Sequence, residues 1–548
     1  MANVKFSRVE FEKHFKLTDE IMNKINLFGV PIERINDREI EVEILPNRPD
    51  LLSMRGFIRA FRNFLGKEKG IKKYKINKPG RDYYVKIDAA VKTVRPFTAC
   101  AIVKNISFDD ERIKEVIDLQ EKLHVTIGRN RKKLAIGIYP LEKIKLPITY
   151  TALAPEKINF IPLGANREMN GFQIIQKHQT GKEYAHLLEG FPKYPVFIDS
   201  KNNILSMPPV INSDETGRIT NLTRDVFIEC SGMDFSLLMK TLNIFVTALS
   251  DMGGEIYAME LNYGKDKHIA PNLTPEKIKL SLEHANKLLG LNLKQQELAR
   301  LLERMSYSYK NGVVEISPWR FDILHEVDVI EDIAIAYGYD RLIPEMGGIS
   351  FVAEESQEGK IKSKLSDILA GLGLIEISSY NLIKKEEIER EKQDNLIELE
   401  NSKTDYKFLR YNLLVPMLRI LSENKDADYP QKLFEIGKVF SKDAKMQAET
   451  GITEEENLII ALTPGNFTEM KQILDYFTKI LGLEYKIEET GNKDFIEGRT
   501  ASILIDNKII GYMGDLHPKT LNAWNIRMPA SILEISLEEI FNIIRRAS

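Results

Sequence analysis

Three polar breaks that contain proline or glycine constrain the fold of this chain more than any other feature of its sequence. They fall at residues 77–81, 265–274 and 344–348. Breaks of this composition mark turns and linkers, and at about 150 residues per domain a 548-residue chain divides into three or four domains. The sequence therefore predicts a multidomain α+β protein. The four expected domains are residues 1–78, 82–265, 270–345 and 355–548.

The composition excludes several classes of protein. Hydrophobic residues make up 43% and charged residues 29% of the chain, and no run approaches the roughly 18 apolar residues that a membrane-spanning helix needs. Residues 1–8 lack the apolar core of an export signal, so we expect a cytoplasmic protein without a membrane segment. Cys100 and Cys230 lie in no metal-binding pattern and are expected to be buried. Because the net charge is −3, any contact with nucleic acid must use local basic surface.

Hydrophobic periodicity predicts the elements of the first two segments. In the first, the expected elements are a strand near Val4–Phe6, a helix capped by Thr18, the alternating strand Glu39–Ile44 and a helix with Pro49 in its first turn. In the second, they are strands at 133–139, 195–198 and 226–230 and a long helix at 235–252. The second segment therefore reads as a mixed α/β domain.

The third and fourth segments have different patterns. The third is expected to hold a strand at Ile278, a helix that ends at Leu289, a helix capped by Asn292 and a hairpin at residues 311–312. Two helices and a hairpin make a winged-helix-like unit, which binds DNA in some proteins and serves as an interaction module in others. In the fourth, a helix at 361–372 precedes strands near Ile375, Leu396, Phe434, Ile459, Ile503 and Ile532. This pattern favours an antiparallel sheet with helices packed on it.

The sharpest group of candidate ligands is acidic. It consists of Asp322, Asp328, Glu331 and Asp332. On a helix, the last three share one face with Cβ atoms about 5 to 6 Å apart, and Asp322 arrives from the preceding strand end. Carboxylates at this spacing repel unless a cation neutralises them, and Mg²⁺ is the natural hard dication for oxygen ligands. The alternative is an acidic first helical turn that the helix dipole favours without any metal.

Five blocks of the sequence, in this order, resemble one protein family. They are LPNRPDLLS at 45–53, LHVTIGRNRKKLAIGIY at 123–139, ILSMPPVINS at 204–213, the acidic block at 322–339 and LFEIGKVF at 433–440. The first, fourth and fifth resemble the beta subunit of phenylalanyl-tRNA synthetase, and the other two resemble its archaeal and eukaryotic branch, in the short archaeal form. Because the blocks span nearly the whole chain, a coincidental match is excluded.

The resemblance implies a division of labour. The four acids at 322–332 occupy the family's magnesium positions, and the last domain has the class II synthetase fold without a working active site. No glycine-rich segment ending in an ATP-binding arginine is found here. The chain is therefore expected to work with a catalytic alpha subunit, in a heterotetramer of two alpha and two beta chains. That enzyme uses ATP to attach phenylalanine to its tRNA.

The resemblance also implies an editing activity in the second domain. An apolar pocket excludes the extra hydroxyl of tyrosine by only about 100-fold, so a second site must hydrolyse tyrosine-charged tRNA. The candidate editing residues are Ile204, Ser213, Asp234 and Ser236. The alternative is local: residues 212–214 form a turn, and Asp234 caps the helix that begins near Phe235.

Two other functions remain open from the sequence. One is an autonomous hydrolase for mischarged tRNA, and the other is a non-enzymatic nucleic-acid-binding protein built around the winged-helix-like unit. Residues 55–81 hold ten Lys or Arg against the single acid Glu68, which suits RNA phosphates or a solvated helix and linker equally well. His124 and His517 are expected to be structural, since neither has a partner in its sequence neighbourhood.

Overall fold

The computed structural model describes residues 2–348, 352–391, 396–443 and 449–547. They form two compact units, Met1–Glu345 and Met346–Ser548, each with its own sheets and hydrophobic clusters. The mixture of helices and several separate sheets confirms the α+β class. Among the described residues, no helix combines the length and the apolar character that crossing a membrane requires. Cys100 and Cys230 are free and buried, as predicted.

The first part of unit 1 packs three helices on a three-stranded antiparallel sheet of order β1, β3, β2. Its elements are β1 (Ala2–Ser7), α1 (Arg8–Glu12), α2 (Asp19–Leu27), β2 (Ile32–Ile35), β3 (Glu39–Ile44) and α3 (Met54–Phe64). Alternation along β3 buries its aliphatic residues, as the sequence predicted. Pro49 begins a separate short 3₁₀ turn, so its predicted place in the helix is corrected. The cap of α3 is Ser53, whose hydroxyl accepts the Gly56 N–H at 3.0 Å.

The second part of unit 1 holds two larger sheets. One has the order β13-β12-β11-β8-β5-β16-β17 and the other β4-β15-β6-β14-β7, and helix α8 packs on β6 and β14. The strands are β4 (Ile76–Asn77), β5 (Tyr84–Ile87), β6 (Phe97–Lys104), β7 (Leu134–Pro140), β8 (Ile148–Leu153), β9 (Asn159–Phe160), β10 (Met169–Asn170), β11 (Tyr194–Ile198), β12 (Ile204–Met207), β13 (Ile211–Asn212), β14 (Val226–Gly232), β15 (Glu255–Tyr257), β16 (Met259–Tyr263) and β17 (Asp266–Ala270). The helices are α4 (Asp110–Val125), α5 (Gly171–Lys177), α6 (Gln179–Tyr184), α7 (Asp214–Gly217) and α8 (Phe235–Asp251).

The third part of unit 1 is a small sheet of order β18-β20-β19 with three helices. Its elements are β18 (Glu276–Lys279), α9 (Leu282–Leu289), α10 (Gln295–Arg304), β19 (Ser308–Lys310), β20 (Val313–Ile316) and α11 (Glu326–Tyr337). Gly290 ends α9 with a left-handed φ of +66°, as predicted. The predicted Asn292 cap is wrong, because α10 begins after Lys294, whose N–H donates to the Glu297 carboxylate at 2.8 Å.

The basic stretch at residues 55–81 is partly used for packing. Arg59 donates to the Asp251 carboxylate at 2.7 Å and to the Tyr74 hydroxyl at 2.8 Å. Its guanidinium also lies 4.3 Å from the ring centre of Trp319. This buried arginine therefore joins α3 to α8 and to the third part of the unit, and it is not exposed to an RNA phosphate.

Unit 2 is built on a seven-stranded sheet of order β21-β24-β25-β29-β28-β27-β26. All neighbouring pairs are antiparallel except β21 and β24. The strands of the unit are β21 (Ile375–Glu376), β22 (Leu382–Lys384), β23 (Tyr406–Leu409), β24 (Gln431–Lys442), β25 (Ile452–Thr463), β26 (Lys486–Glu489), β27 (Phe495–Ile505), β28 (Lys508–Leu516) and β29 (Ser531–Ser536). The helices are α12 (Gln357–Gly371), α13 (Lys385–Glu391), α14 (Leu414–Glu423), α15 (Phe467–Ile480), α16 (Pro518–Ala523) and α17 (Glu538–Ala547).

Both faces of this sheet are covered. Leu458 and Ile460 of β25 join the cluster of α12 and α15, while Ile459 and Ala461 join the cluster of α14. Alternate residues of one strand face opposite sides, so β25 serves two cores. The predicted antiparallel sheet with helices is confirmed. The predicted strand near Leu396 is wrong, because only an isolated bridge from Glu398 lies there in the described part of the chain.

Candidate functional site

A cavity of about 310 Å³ lies in the second part of unit 1, beside helix α4 and the end of the five-stranded sheet. Most of its wall comes from four places in the sequence. They are α4 (Gln120, Glu121, His124), the turn and strand β7 (Arg131, Ala135, Ile136, Ile138), the segment 208–212 with residues 217–219, and Glu229 of β14. Because strands of one sheet and a distant loop meet here, the cavity belongs to the tertiary structure and not to any local motif.

Glu229 is the most unusual group in this wall. It is only 2% exposed, and its Oε2 atom has no hydrogen-bond partner among the described residues. Its Oε1 atom accepts from the Tyr139 hydroxyl at 3.2 Å. Burial raises the pKa of Glu229 to about 8, against the opposing effects of Arg95 and of the Tyr139 and Ser231 hydroxyls. At neutral pH the carboxyl is therefore mostly protonated, and it holds a polar atom without a hydrogen-bond partner at the cavity wall.

The strand register explains which residue lies beside Glu229. In the antiparallel pair of β14 and β7, Glu229 lies opposite Gly137. A Cβ atom at Gly137 would collide with the Tyr139 hydroxyl and with Glu229 Oε1. Glycine at this position therefore preserves the contact between Tyr139 and Glu229 and the space around it.

A second group of charges lies on the α4 side of the cavity. Glu121 accepts from Arg131 at 3.0 and 3.3 Å and faces His124 Nδ1 at 3.2 Å. His124 Nε2 accepts the Ile136 N–H at 2.8 Å, so Nδ1 carries the proton of the neutral ring and donates to Glu121. Burial lowers the pKa of His124. Although burial acts in the opposite direction, the His124 hydrogen bond and the Arg131 charge hold the pKa of Glu121 at about 2.

The four residues predicted for editing are not gathered in this cavity. Asp234 caps α8, since its carboxylate accepts the Leu237 N–H at 3.0 Å, and Ser236 is exposed in the first turn of that helix. Ile204 is half-buried in a separate apolar cluster, and Ser213 is buried next to the lining residue Asn212. Asp234 therefore caps the helix, as the local alternative predicted. An exposed carboxylate at the start of a helix accepts hydrogen bonds from the free N–H groups there.

One of the two acids that line the cavity, Glu229, was missed by sequence reasoning, although a signal for it existed. Glu229 interrupts an otherwise apolar and small-residue strand, Val226–Gly232, that is buried along its whole length. A lone acid in a fully buried strand needs a partner or a function, because burying an unpaired carboxyl is costly. We therefore add Glu229 to the candidate editing residues, while the four residues predicted from the sequence stay predictions.

The predicted magnesium residues have other partners in this chain. Arg320 donates to both Asp322 oxygens at 2.7 and 2.6 Å and to Asp332 at 2.8 Å. Tyr307 also donates to Asp332. Asp328 accepts the N–H groups of Leu324 and His325 at 2.8 and 2.7 Å, as a carboxylate at a helix start does. Glu331 is exposed on α11.

These contacts test whether the four acids suit a dication. Carboxylate oxygens are the right donors for Mg²⁺, but Arg320 already supplies the positive charge that Asp322 and Asp332 need. Throughout residues 2–348 and the other described ranges, no three acidic, histidine or cysteine side chains are grouped closely enough to hold a metal ion. As this chain arranges them, the four acids do not fit a metal site.

A larger cavity of about 440 Å³ lies between β1, α3 and α4, and its lining is strongly charged. Most of these charges face one another: Arg55 lies 3.7 Å from Glu115 and 3.9 Å from Glu10. Burial raises the pKa of Glu115. The lining charges largely neutralise one another, although Arg55 Nε is buried without a hydrogen-bond partner among the described residues. We take the smaller cavity as the candidate site because its unpartnered group is a carboxyl with a raised pKa.

Comparison with known proteins gives a consistent result. Residues 347–537 match the family described as "Phenylalanyl tRNA synthetase beta chain CLM domain", and residues 278–339 match "tRNA synthetase B5 domain". The chain is 37% identical over 516 residues to a phenylalanine–tRNA ligase beta subunit of Thermococcus onnurineus and 38% identical over 507 residues to that of Pyrococcus furiosus, with 90% of each chain covered. It is 35% identical over 536 residues to the same subunit of Archaeoglobus fulgidus, with 96% of each covered.

A solved structure is also similar to this chain. It is an N-terminal fragment of the phenylalanyl-tRNA synthetase beta subunit from Pyrococcus horikoshii, with 36% identity and a TM-score of 0.59. The match covers 62% of this chain and 100% of that fragment. The similarity therefore extends from sequence to fold.

Proposed function

This chain belongs to the family of phenylalanine–tRNA ligase beta subunits, and from that membership we propose that it works in a complex with a catalytic alpha subunit. The complex uses ATP to attach phenylalanine to its tRNA, and it acts in the cytoplasm as a heterotetramer of two alpha and two beta chains. Identity of 35% or more to curated beta subunits, over at least 90% of the chain, supports this proposal.

The parts of the chain divide the work in this proposal. Unit 2 is a class II synthetase-like domain without catalytic residues, and it provides the scaffold on which the alpha subunit assembles. The part around α9, α10 and the small sheet is a winged-helix-like module. The part with the Glu229 cavity is an editing domain that hydrolyses tyrosine wrongly attached to the tRNA for phenylalanine.

The single observation that carries the editing proposal is the unpartnered Oε2 atom of buried Glu229 in a cavity of about 310 Å³. A tyrosine side chain can meet this group with its phenol hydroxyl, whereas phenylalanine leaves it without a partner. A site built to bind a hydroxyl rejects the analogue that lacks it, because the buried polar group then stays unpaired. Glu229 is thus the residue that selects tyrosine, and Tyr139 positions it.

The experiment measures deacylation of tyrosine-charged and phenylalanine-charged tRNA by the purified alpha/beta complex. We expect Glu229→Ala to reduce the preference for tyrosine about tenfold or more, the equivalent of roughly 1.4 kcal/mol for one hydrogen bond. Asp234→Ala is the matched control, because it removes an acid from the same strand-to-helix connection but outside the cavity, and it should leave the preference unchanged. A wild-type preference in Glu229→Ala contradicts the assignment.

A second experiment addresses the partner. The isolated chain should show no phenylalanine-dependent exchange of pyrophosphate into ATP, and addition of the alpha subunit should produce it. Exchange by the lone chain contradicts the proposed division between subunits.

Magnesium at Asp322, Asp328, Glu331 and Asp332 stays a prediction from the family resemblance. The partners of these acids in this chain argue against it, and no step of the proposed function depends on it.

A further inference from the structure

The turn at residues 129–133, which connects α4 to β7, has an uncommon backbone. Three successive non-glycine residues, Arg129, Asn130 and Arg131, have left-handed φ values of +47°, +51° and +63°. This conformation costs roughly 1–2 kcal/mol for each ordinary residue, and glycine would relieve it. The turn therefore has side chains at positions where glycine would give a lower backbone energy. Such strain is typical of a functional segment.

Hydrogen bonds to the end of α4 hold this turn in place. The Arg129 N–H donates to the Thr126 carbonyl at 3.0 Å, and the Arg131 N–H donates to the His124 carbonyl at 3.1 Å. The Lys133 N–H closes the loop on the Gly128 carbonyl at 2.8 Å. The strained backbone is thus fixed by the helix, so the positions of its side chains are defined in advance of any binding.

Four of the five residues in the turn are basic, and they have two different roles. Arg131 faces inward, where it binds Glu121 and the Val210 carbonyl and lies 4.3 Å from the centre of the Tyr184 ring. Arg129, Lys132 and Lys133 are exposed, and no carboxylate of the described residues forms an ion pair with them. The turn therefore presents three uncompensated positive charges next to a residue that lines the Glu229 cavity.

We propose that this basic turn binds the phosphates of the single-stranded 3′ end of an RNA whose terminal aminoacyl group occupies the Glu229 cavity. The inference rests on the proposed editing function and deepens it by naming the surface that holds the substrate. An aminoacyl group carried on RNA enters the cavity attached to its strand, and the exposed positive charges beside Arg131 offer the nearest phosphates a binding surface at the cavity wall. Exposed basic side chains on a rigid turn bind such a backbone without reading its sequence.

The test uses the alpha/beta complex with the double variant Lys132→Ala/Lys133→Ala. Two measurements are made: KM and kcat for deacylation of tyrosine-charged tRNA, and the salt dependence of binding of an uncharged tRNA transcript. Each single-strand phosphate contact contributes about 0.7 to the slope of log K against log salt, so the loss of two should lower the slope by about 1.4 and weaken binding about tenfold near 0.15 M salt. We expect a matching rise in KM with kcat unchanged.

Two further variants exclude trivial effects. Lys157→Ala/Lys201→Ala removes two exposed lysines of the same part of the chain that do not line the cavity, and it should leave slope and KM unchanged. Arg129→Gly removes a charge at a position whose φ suits glycine, so it should fold normally and still raise KM.

Each outcome is decisive. An unchanged salt slope in Lys132→Ala/Lys133→Ala, or an equal loss in the control pair, overturns the inference. A wild-type complex that does not deacylate tyrosine-charged tRNA defeats the proposed editing function, while a lowered slope in the same preparation would still support RNA binding at the turn.

Discussion

Two buried carboxylate groups in unit 1 differ in what faces them. Asp322 and Asp332 lie against the guanidinium of Arg320, with hydrogen bonds of 2.6 to 2.8 Å. Glu229 faces a cavity, and one of its oxygens has no hydrogen-bond partner among the described residues. The sequence patterns of both regions point to acids with a function. Of these acids, only Glu229 keeps an oxygen that lacks a hydrogen-bond partner among the described residues.

This difference separates buried acids that stabilise the fold from buried acids that are candidates for function. A carboxylate that is neutralised by a neighbouring guanidinium has its charge balanced inside the protein, and its removal harms the fold first. A carboxyl that is buried without a full set of partners instead has a raised pKa and a free donor or acceptor, which is typical of functional sites. Four experiments test this contrast.

The largest effect is expected from Arg320→Met. This change leaves Asp322 and Asp332 without their buried counter-charge and should lower the free energy of unfolding by about 3–5 kcal/mol. Urea unfolding of the full chain measures it, with the exposed Arg300→Met as the matched control at less than about 0.5 kcal/mol. A loss as small as that of the control would show that Arg320 does not hold the acids.

Gly137→Ala should damage the cavity without removing any polar group. The added methyl meets the Tyr139 hydroxyl and Glu229 Oε1, so it must displace them. We expect deacylation of tyrosine-charged tRNA by the complex to fall about 100-fold, as a misplacement of about 1 Å does in other sites, while phenylalanine attachment is unchanged. Gly371→Ala, at a position with open space, is the control. Unaltered deacylation in Gly137→Ala would remove this cavity from the editing role.

The protonation of Glu229 predicts a dependence of stability on pH. Its pKa is about 8 in the folded chain and near 4.5 when exposed, so between these values the folded state holds a proton that the unfolded state has lost. Stability is therefore complete below the lower value and falls as pH rises toward the higher one, by up to about 1.4 kcal/mol per pH unit. Glu229→Gln mimics the protonated form and should flatten this part of the profile, whereas Glu142→Gln on the surface should not. Parallel profiles for wild type and Glu229→Gln would contradict a protonated Glu229.

The smallest effect is expected from magnesium. Because Arg320 already neutralises Asp322 and Asp332, millimolar Mg²⁺ should leave the Tm of the full chain unchanged in a thermal melt. A ligand that binds the folded state alone stabilises it by about 2.7 kcal/mol at 100 times its Kd, so tight binding would be visible. A rise in Tm that Asp328→Asn abolishes would restore the magnesium prediction.

Local signals in the sequence predicted much of the fold correctly. The strands β1, β3, β7 and β14, the capped helix α2 and the long helix α8 follow from periodicity, capping residues and glycine stops. The predictions of helix starts were wrong where two neighbouring residues both suit the first position of a helix. Ser53 caps α3 although Pro49 suits a first turn, and Lys294 precedes α10 although Asn292 is the better cap by type.

The candidate site was harder to predict than the fold. Asp234 was predicted as an editing residue, but it also has the sequence context of a helix cap, and in the structure its carboxylate caps α8. Glu229 lies only five residues away, but its partner Tyr139 is 90 residues distant along the chain. No pattern in one sequence reports a contact over that separation.

The family, the breaks between the parts and most helices and strands follow from the sequence alone, because these depend on residues that are close together along the chain. Which acids are neutralised, and which keep a buried oxygen without a partner, became visible only in the folded chain. Charge balance and burial depend on side chains that folding brings together, such as Arg320 with Asp332, or Gly137 with Glu229. The same carboxyl group is therefore a structural ion pair in one place and a candidate recognition group in the other.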